Sequence, residues 1–190
     1  MTAATLLLQQ QVIEAPRILA CWQFWPVASI ASVTQCVSEN ISNAWPDIYA
    51  ALEARGIATQ AVCAAAIATV AIETASTFQP VREAFWFDED WRRTNLRYYP
   101  FYGRGYIQLT WESNYRTYSE ALGVDLLDNA DLAMDPSVAA KVFAAFFAQS
   151  GAAAAAERHD WAECRRLVQG ADAGLDRLKS VVRALGLPVA

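Results

Sequence analysis

Apolar and polar positions follow a helical period almost everywhere after residue 26. From Gln60 to Glu73 nearly every position is Ala, Val or Ile, with Val62, Ile67, Val70 and Ile72 as the larger members. A helix that is apolar all round has no face for water, so this segment is expected to form the buried central helix. The neighbouring helices are marked by their ends. Pro46 suits the first turn of a helix through Ala54, with Gly56 as its stop, and Thr110 suits the cap of a helix from Trp111 to Leu122, ended by Gly123. Asp135 and Pro136 open a helix to about Gln149, and Asp160 caps one to about Gln169. Leu175–Leu185 forms the last, stopped by Gly186 and Pro188. The expectation is a mainly α domain of about seven helices.

Two stretches break the pattern. At the start, Thr2–Ile13 can form a short helix, Pro16 interrupts it, and Trp22, Phe24 and Trp25 lead into Pro26. Residues 1–26 are therefore read as an extension or linker, and residues 27–190 as the domain. Residues 75–109 carry few helix signals and many aromatics, so an irregular lobe with room for a short hairpin is expected there.

Composition narrows the chemistry. The 190 residues suffice for one domain with its own core, and a net charge of −5 argues against nucleic acid or anionic lipid as a partner. His159 is the single histidine, which excludes HExxH and three-histidine metal sites. Cys21, Cys36, Cys63 and Cys164 form no CxxC pair. No cofactor and no metal is expected, and catalysis would fall to carboxylates, amides and hydroxyls. Every apolar stretch is broken before the ~18–20 residues a membrane span needs. Met1–Leu8 has no basic residue ahead of its apolar patch, so a signal peptide and membrane insertion are not expected. The expected form is a monomer.

Glu73 falls at the C-terminal end of the central helix, where the helix dipole and apolar neighbours both disfavour a charged carboxylate; a glutamic acid kept protonated is what a general acid requires. Glu83, ten residues on, would supply the second carboxylate of a glycosidase pair, with Asp88, Glu89 and Asp90 as competitors. Glu83 also fits a loop glutamate paired with Arg82. Twelve aromatics lie between Phe85 and Tyr118. Aromatic faces stack on sugar rings while amides and hydroxyls bond their polar edges, so this segment fits a polysaccharide groove.

The run Phe101-Tyr102-Gly103-Arg104-Gly105-Tyr106-Ile107-Gln108-Leu109-Thr110-Trp111, followed by Asn114-Tyr115, resembles the signature of glycoside hydrolase family 19, the chitinases and phage endolysins of lysozyme-like fold. Ile72-Glu73-Thr74 resembles the family's acid motif, although no histidine precedes Glu73. Val168-Gln169-Gly170-Ala171 resembles its late segment, with Gln169 where Asn is usual. The resemblance spans roughly residues 30–185 and is nearest to compact phage or prophage endolysins.

It implies a lysozyme-like helical domain with Glu73 as general acid and Glu83 as base. Tyr102, Gln108, Thr110, Asn114 and Gln169 would bind substrate and the attacking water, with Arg177 as a late arginine linked to the acid. The implied reaction is an inverting cleavage of β-1,4 bonds between N-acetylated sugars, with peptidoglycan or chitin as the partner. An endolysin would be made in the bacterial cytoplasm and act on the wall after release. Two other readings are a Cys/His amidase using Cys63 or Cys164 with His159, and an inactive wall-binding module.

Overall fold

The computed structural model describes residues 24–189. The helix expected over Thr2–Ile13, and most of the 1–26 extension with Cys21, lie outside the described residues.

The first helices are α1 (Val27–Thr34), α2 (Ser38–Glu53) and α3 (Gln60–Glu73). The C-terminal half adds α6 (Pro136–Gln149), α7 (Ala152–Glu157), α8 (Trp161–Gln169) and α9 (Leu175–Ala184). Between them lies an irregular lobe with β1 (Val81–Arg82), α4 (Glu89–Asn95), β2 (Arg104–Gly105), α5 (Glu112–Leu122) and a 3₁₀ turn over Ala130–Met134.

Thr59 caps α3 by accepting the Val62 N–H at 3.3 Å, and all residues from Ala61 to Ala71 are buried. Helices α1, α7, α8 and α9 pack around it. The alanines allow that close approach, while Val62, Ile67 and Val70 each contribute about 1.5–3 kcal/mol by leaving water. A second layer joins α2 to α6. There Ile41, Trp45, Ile48 and Leu52 of α2 are buried, as are Val142, Phe143 and Phe147 of α6. Asp135 caps α6 by accepting from Val138 N at 2.9 Å, with Pro136 in the first turn.

Two expectations are corrected, and one further helix appears. Pro46 lies inside α2, which starts at Ser38. Proline deprives the Ser42 carbonyl of its usual donor, but Ser42 and Asn43 are exposed and water can take that place, while the apolar stripe from Ile41 to Leu52 holds the helix together. Thr110 does not cap α5; its hydroxyl donates to Gln108 O at 2.8 Å, and Trp111 occupies the cap position without a side-chain bond. The alanine tract at 152–156 is a helix, with Ala152, Ala153, Ala155 and Ala156 buried.

In the lobe, Val81 pairs with Gly105 and Arg82 with Arg104 in an antiparallel ladder. Arg82 is not paired with Glu83. It reaches Asp131 on the 3₁₀ turn at 2.8 Å, and Asp131 also accepts from Arg104 Nε at 2.9 Å. These ion pairs fasten the β1–β2 ladder to the 3₁₀ turn within the lobe.

Candidate active site

Glu73 ends the buried rod α3. Just beyond it the Thr74 hydroxyl donates to Val70 O at 2.7 Å and accepts from Phe78 N at 3.0 Å, turning the chain over the fully buried Phe78 ring. The apolar surroundings expected for Glu73 are interrupted by one cation. Arg165 of α8, itself buried, donates Nη1 to Glu73 Oε1 at 2.5 Å and Nε to Ala173 O at 2.6 Å. Gly174, at φ +80°, leaves room for that guanidinium: a Cβ there would lie 3.3 Å from Arg165 Nε and 3.2 Å from Ile72. Among the described residues Glu73 Oε2 has no hydrogen-bond partner, and the side chain is 13% exposed at the cleft.

Glu83 follows β1 and is fixed at three points. Its N–H donates to Gly103 O at 2.7 Å, its Oε2 accepts from Gly103 N at 3.0 Å, and its Oε1 accepts from Tyr98 Oη at 2.5 Å. Burial and, after it, the Glu83 hydrogen bond and charge push the Tyr98 phenol up to about 12, so it stays protonated and donates. Gly103 is required here by close approach. A Cβ at that position would sit 2.8 Å from Gln108 Oε1 and 3.3 Å from Glu83 Oε2.

The cleft floor is a tight turn. Leu109 N donates to Arg104 O at 2.9 Å, and Gln108 takes a left-handed φ of 52°. The Gln108 amide donates to Val81 O at 2.9 Å, and Asn114 Nδ2 to Thr110 O at 2.8 Å. Glu73, Glu83, Gln108, Thr110, Asn114 and Gln169 together line one cleft of about 420 Å³, with Tyr98 and Trp111 at its side.

Two residues expected at the site are elsewhere. Tyr102 is fully buried, its ring 3.7 Å below the Arg104 guanidinium and its hydroxyl on Glu89 Oε2 at 2.9 Å; it supports the lobe and touches no cleft residue's reactive group. Arg177 donates to Ser76 Oγ at 2.5 Å and Thr34 O at 3.2 Å, and the arginine paired with Glu73 is Arg165 instead. The signal for Arg165 was available: it falls on the helical stripe of Trp161, Cys164 and Val168, where a charged residue requires a partner. Of the competing acids, Asp88 caps α4 through Trp91 N at 2.8 Å and Glu89 holds Tyr102 and Arg92. None of Asp88, Glu89 and Asp90 lines the cleft.

Cys63 and Cys164 are fully buried, and burial pushes both thiols up to about 12, away from nucleophilic use. Among the described residues no group of three or more His, Cys, Asp and Glu side chains gathers to hold a metal.

Two glutamates share a cleft with amides, hydroxyls and an aromatic rim on a helical domain, a layout similar to that of the two-carboxylate glycosidases. A profile of the family described as "Chitinase class I", glycoside hydrolase family 19, matches residues 79–180, which is more than half of the chain. The chain belongs to this family. It is 36% identical over 78 residues to Endochitinase CH5B of Phaseolus vulgaris, a stretch covering 41% of this chain and 24% of that protein. With Endochitinase 1 of Theobroma cacao it shares 52% identity over 42 residues, 22% of this chain and 13% of the relative. The chain thus matches less than a quarter of the length of these curated relatives. An "Inactive chitinase-like protein 1" of Hevea brasiliensis also matches, at 59% over 32 residues, 17% of this chain and 10% of that protein. The fold is similar to the crystal structure of chitinase C from Streptomyces griseus HUT6037, with TM-score 0.65 and 22% identity over 87% of this chain and 94% of that one.

Proposed function

We propose that the protein hydrolyses β-1,4 bonds in a polysaccharide of N-acetylated sugars. The observation that supports this best is the placing of Glu73 and Glu83 in one cleft with contrasting surroundings. Glu83 has both oxygens held by donors, which aims it as a proton acceptor toward a water molecule. Glu73 is anchored through one oxygen and offers the other to the cleft. In the proposed step Glu73 gives its proton to the glycosidic oxygen as that bond breaks. Water adds to the anomeric carbon from the opposite face and passes a proton to Glu83, which inverts the configuration. Thr110 and Asn114 would hold the water and the N-acetyl group.

The relatives are named as chitinases, which favours chitin. The peptidoglycan backbone offers the same β-1,4 linkage and N-acetyl group, and the compact loops resemble those of phage and prophage endolysins. In that reading the protein is made in the bacterial cytoplasm and meets the wall after release. A relative named inactive also matches over 32 residues, so the test measures activity directly.

The test is mass spectrometry of products from purified chitin and from purified peptidoglycan, with NMR of the first anomer released. New reducing ends on GlcNAc or MurNAc, absent with Glu73→Gln, are expected. A first-formed β anomer would overturn inversion, and no new reducing end on either polymer would overturn the glycosidase reading.

A further inference from the structure

Immediately after Glu83 the chain exposes three consecutive aromatics, Phe85 (44%), Trp86 (68%) and Phe87 (43%). Their rings form a continuous row: Phe85 meets Trp86 edge-on at 5.0 Å, Trp86 lies 6.3 Å from Phe87, and Phe87 stacks on Trp91 at 4.3 Å. Apolar surface of this size is not left in water without use.

The row is also rigidly built. The buried Arg92 donates Nε to Glu83 O at 2.9 Å and Nη2 to Ala84 O at 3.2 Å and Phe87 O at 2.7 Å. One guanidinium therefore sets both the backbone of the candidate base and the loop that bears the rings. Only Ala84 separates Glu83 from Phe85, so the row begins within about 7 Å of the cleft wall.

Resting on the glycosidase reading, we infer that Phe85, Trp86 and Phe87 form a platform that grips a neutral β-1,4-linked N-acetylglucosamine chain, such as chitin, outside the catalytic cleft. Neutrality follows from charge: Asp88, Glu89 and Asp90 directly follow the rings, while the nearby cations Arg82 and Arg92 are taken up by Asp131, Glu89 and backbone carbonyls, on a protein of net charge −5 that disfavours anionic wall polymers and anionic lipid. Pyranose rings present flat C–H faces to such rings, and Trp86, the most exposed, supplies the largest one.

The experiment compares Trp86→Ala with the parent in two settings. Sedimentation with insoluble chitin is measured in the Glu73→Gln background, and turnover is measured in the active protein on insoluble chitin and on soluble N-acetylglucosamine tetramer. Losing one stacked aromatic is expected to weaken chitin binding by about two- to tenfold, with a parallel loss of polymer turnover and an unchanged rate on the tetramer. Equal sedimentation of the two proteins would overturn the platform. A Trp86-dependent dimer in analytical ultracentrifugation, with sugar binding unaffected, would reassign the rings to a second copy and overturn it too. Trp86-dependent sedimentation without hydrolysis by the parent would sustain the platform and defeat the glycosidase reading instead.

Discussion

Replacing Arg165 with methionine tests whether the buried arginine positions the acid. The side chain is 3% exposed and makes two hydrogen bonds, one charged to Glu73 and one to the Ala173 carbonyl. Methionine fills most of the space, so the cavity cost is small and the loss comes from the partners left behind. Removing one member of a buried pair costs about 3–5 kcal/mol. Glu73 opens on the cleft and water can reach it, which places the loss at about 3 kcal/mol, the low end of that range. For a chain of this length that lowers Tm by about 6–12 °C. The released carboxylate no longer holds one geometry. If the charged bond, worth about 1.5–3 kcal/mol, acts mainly at the transition state, kcat falls about ten- to a hundredfold. Thermal melts and initial rates on a soluble N-acetylglucosamine oligomer give both quantities. A cycle with Glu73→Leu separates pairing from packing, because two residues in contact should couple by about 0.5–3 kcal/mol. Additive melting data combined with unchanged kcat would refute the positioning role.

Glu73→Gln should abolish hydrolysis, since it removes the transferable proton, with a smaller fall in Tm than Arg165→Met because the amide oxygen can still accept from Arg165; retention of more than about a tenth of the rate contradicts the acid assignment, as acid–base catalysis contributes ~10²–10⁴-fold. Asn114→Ala should lower kcat more than it raises KM in steady-state kinetics, and a change confined to Tm would return Asn114 to a purely structural role. Thr69→Val should raise Tm by about 2–4 °C in a calorimetric scan, because the Thr69 hydroxyl is buried without a partner in α3 and costs about 1 kcal/mol. Acid should loosen the lobe through Asp131. Burial raises this carboxyl, but the Arg82 bond and the charges of Arg82 and Arg104 outweigh it and hold the group below its ordinary range. The resulting stabilisation is present above an unfolded carboxyl's value near ~4 and is lost as pH falls through the lower folded value. Denaturation measured between about pH 4 and 2 should therefore show a shallower acid limb in Asp131→Asn.

Where one local rule governed a segment, the fold was legible. Helix α3 is apolar on every side and is the central rod; Asp135 and Asp160 cap the helices that their spacing announced. Pro46 misled because a single missing N–H was weighed against a long apolar stripe, and packing outweighs it when the orphaned carbonyl faces water. Most of the candidate site residues share the cleft, yet the motif did not distinguish residues that line it from those that hold it up. Tyr102 stands beside Gly103 in the same run but is turned under Arg104, a matter of side-chain direction that spacing does not carry. The helical stripe marks Arg165 as buried, but its partner Glu73, like the backbone carbonyls that hold Arg92, is brought to it only by the tertiary fold.

The bond from Glu83 N to Gly103 O closes the neck of a loop, residues 84–102, whose return arm is tied down further by Arg104 on Pro100 O, Trp111 N on Phe101 O and Tyr115 on Tyr102 O. A segment attached in this way behaves as a cassette. Lengthening it costs little, since closure entropy grows only slowly with length, and the two anchors keep their places while the interior changes. Insertions and deletions can therefore accumulate there without shifting Glu73 at the end of α3 or Glu83 at the neck, provided an arginine equivalent to Arg92 still ties the first carbonyls down and a tyrosine equivalent to Tyr98 still holds Glu83. Grafting of whole loops between relatives should follow the same seam, with cuts at residues 83 and 103, so that the surface beside the cleft can diversify while the two carboxylates stay in register.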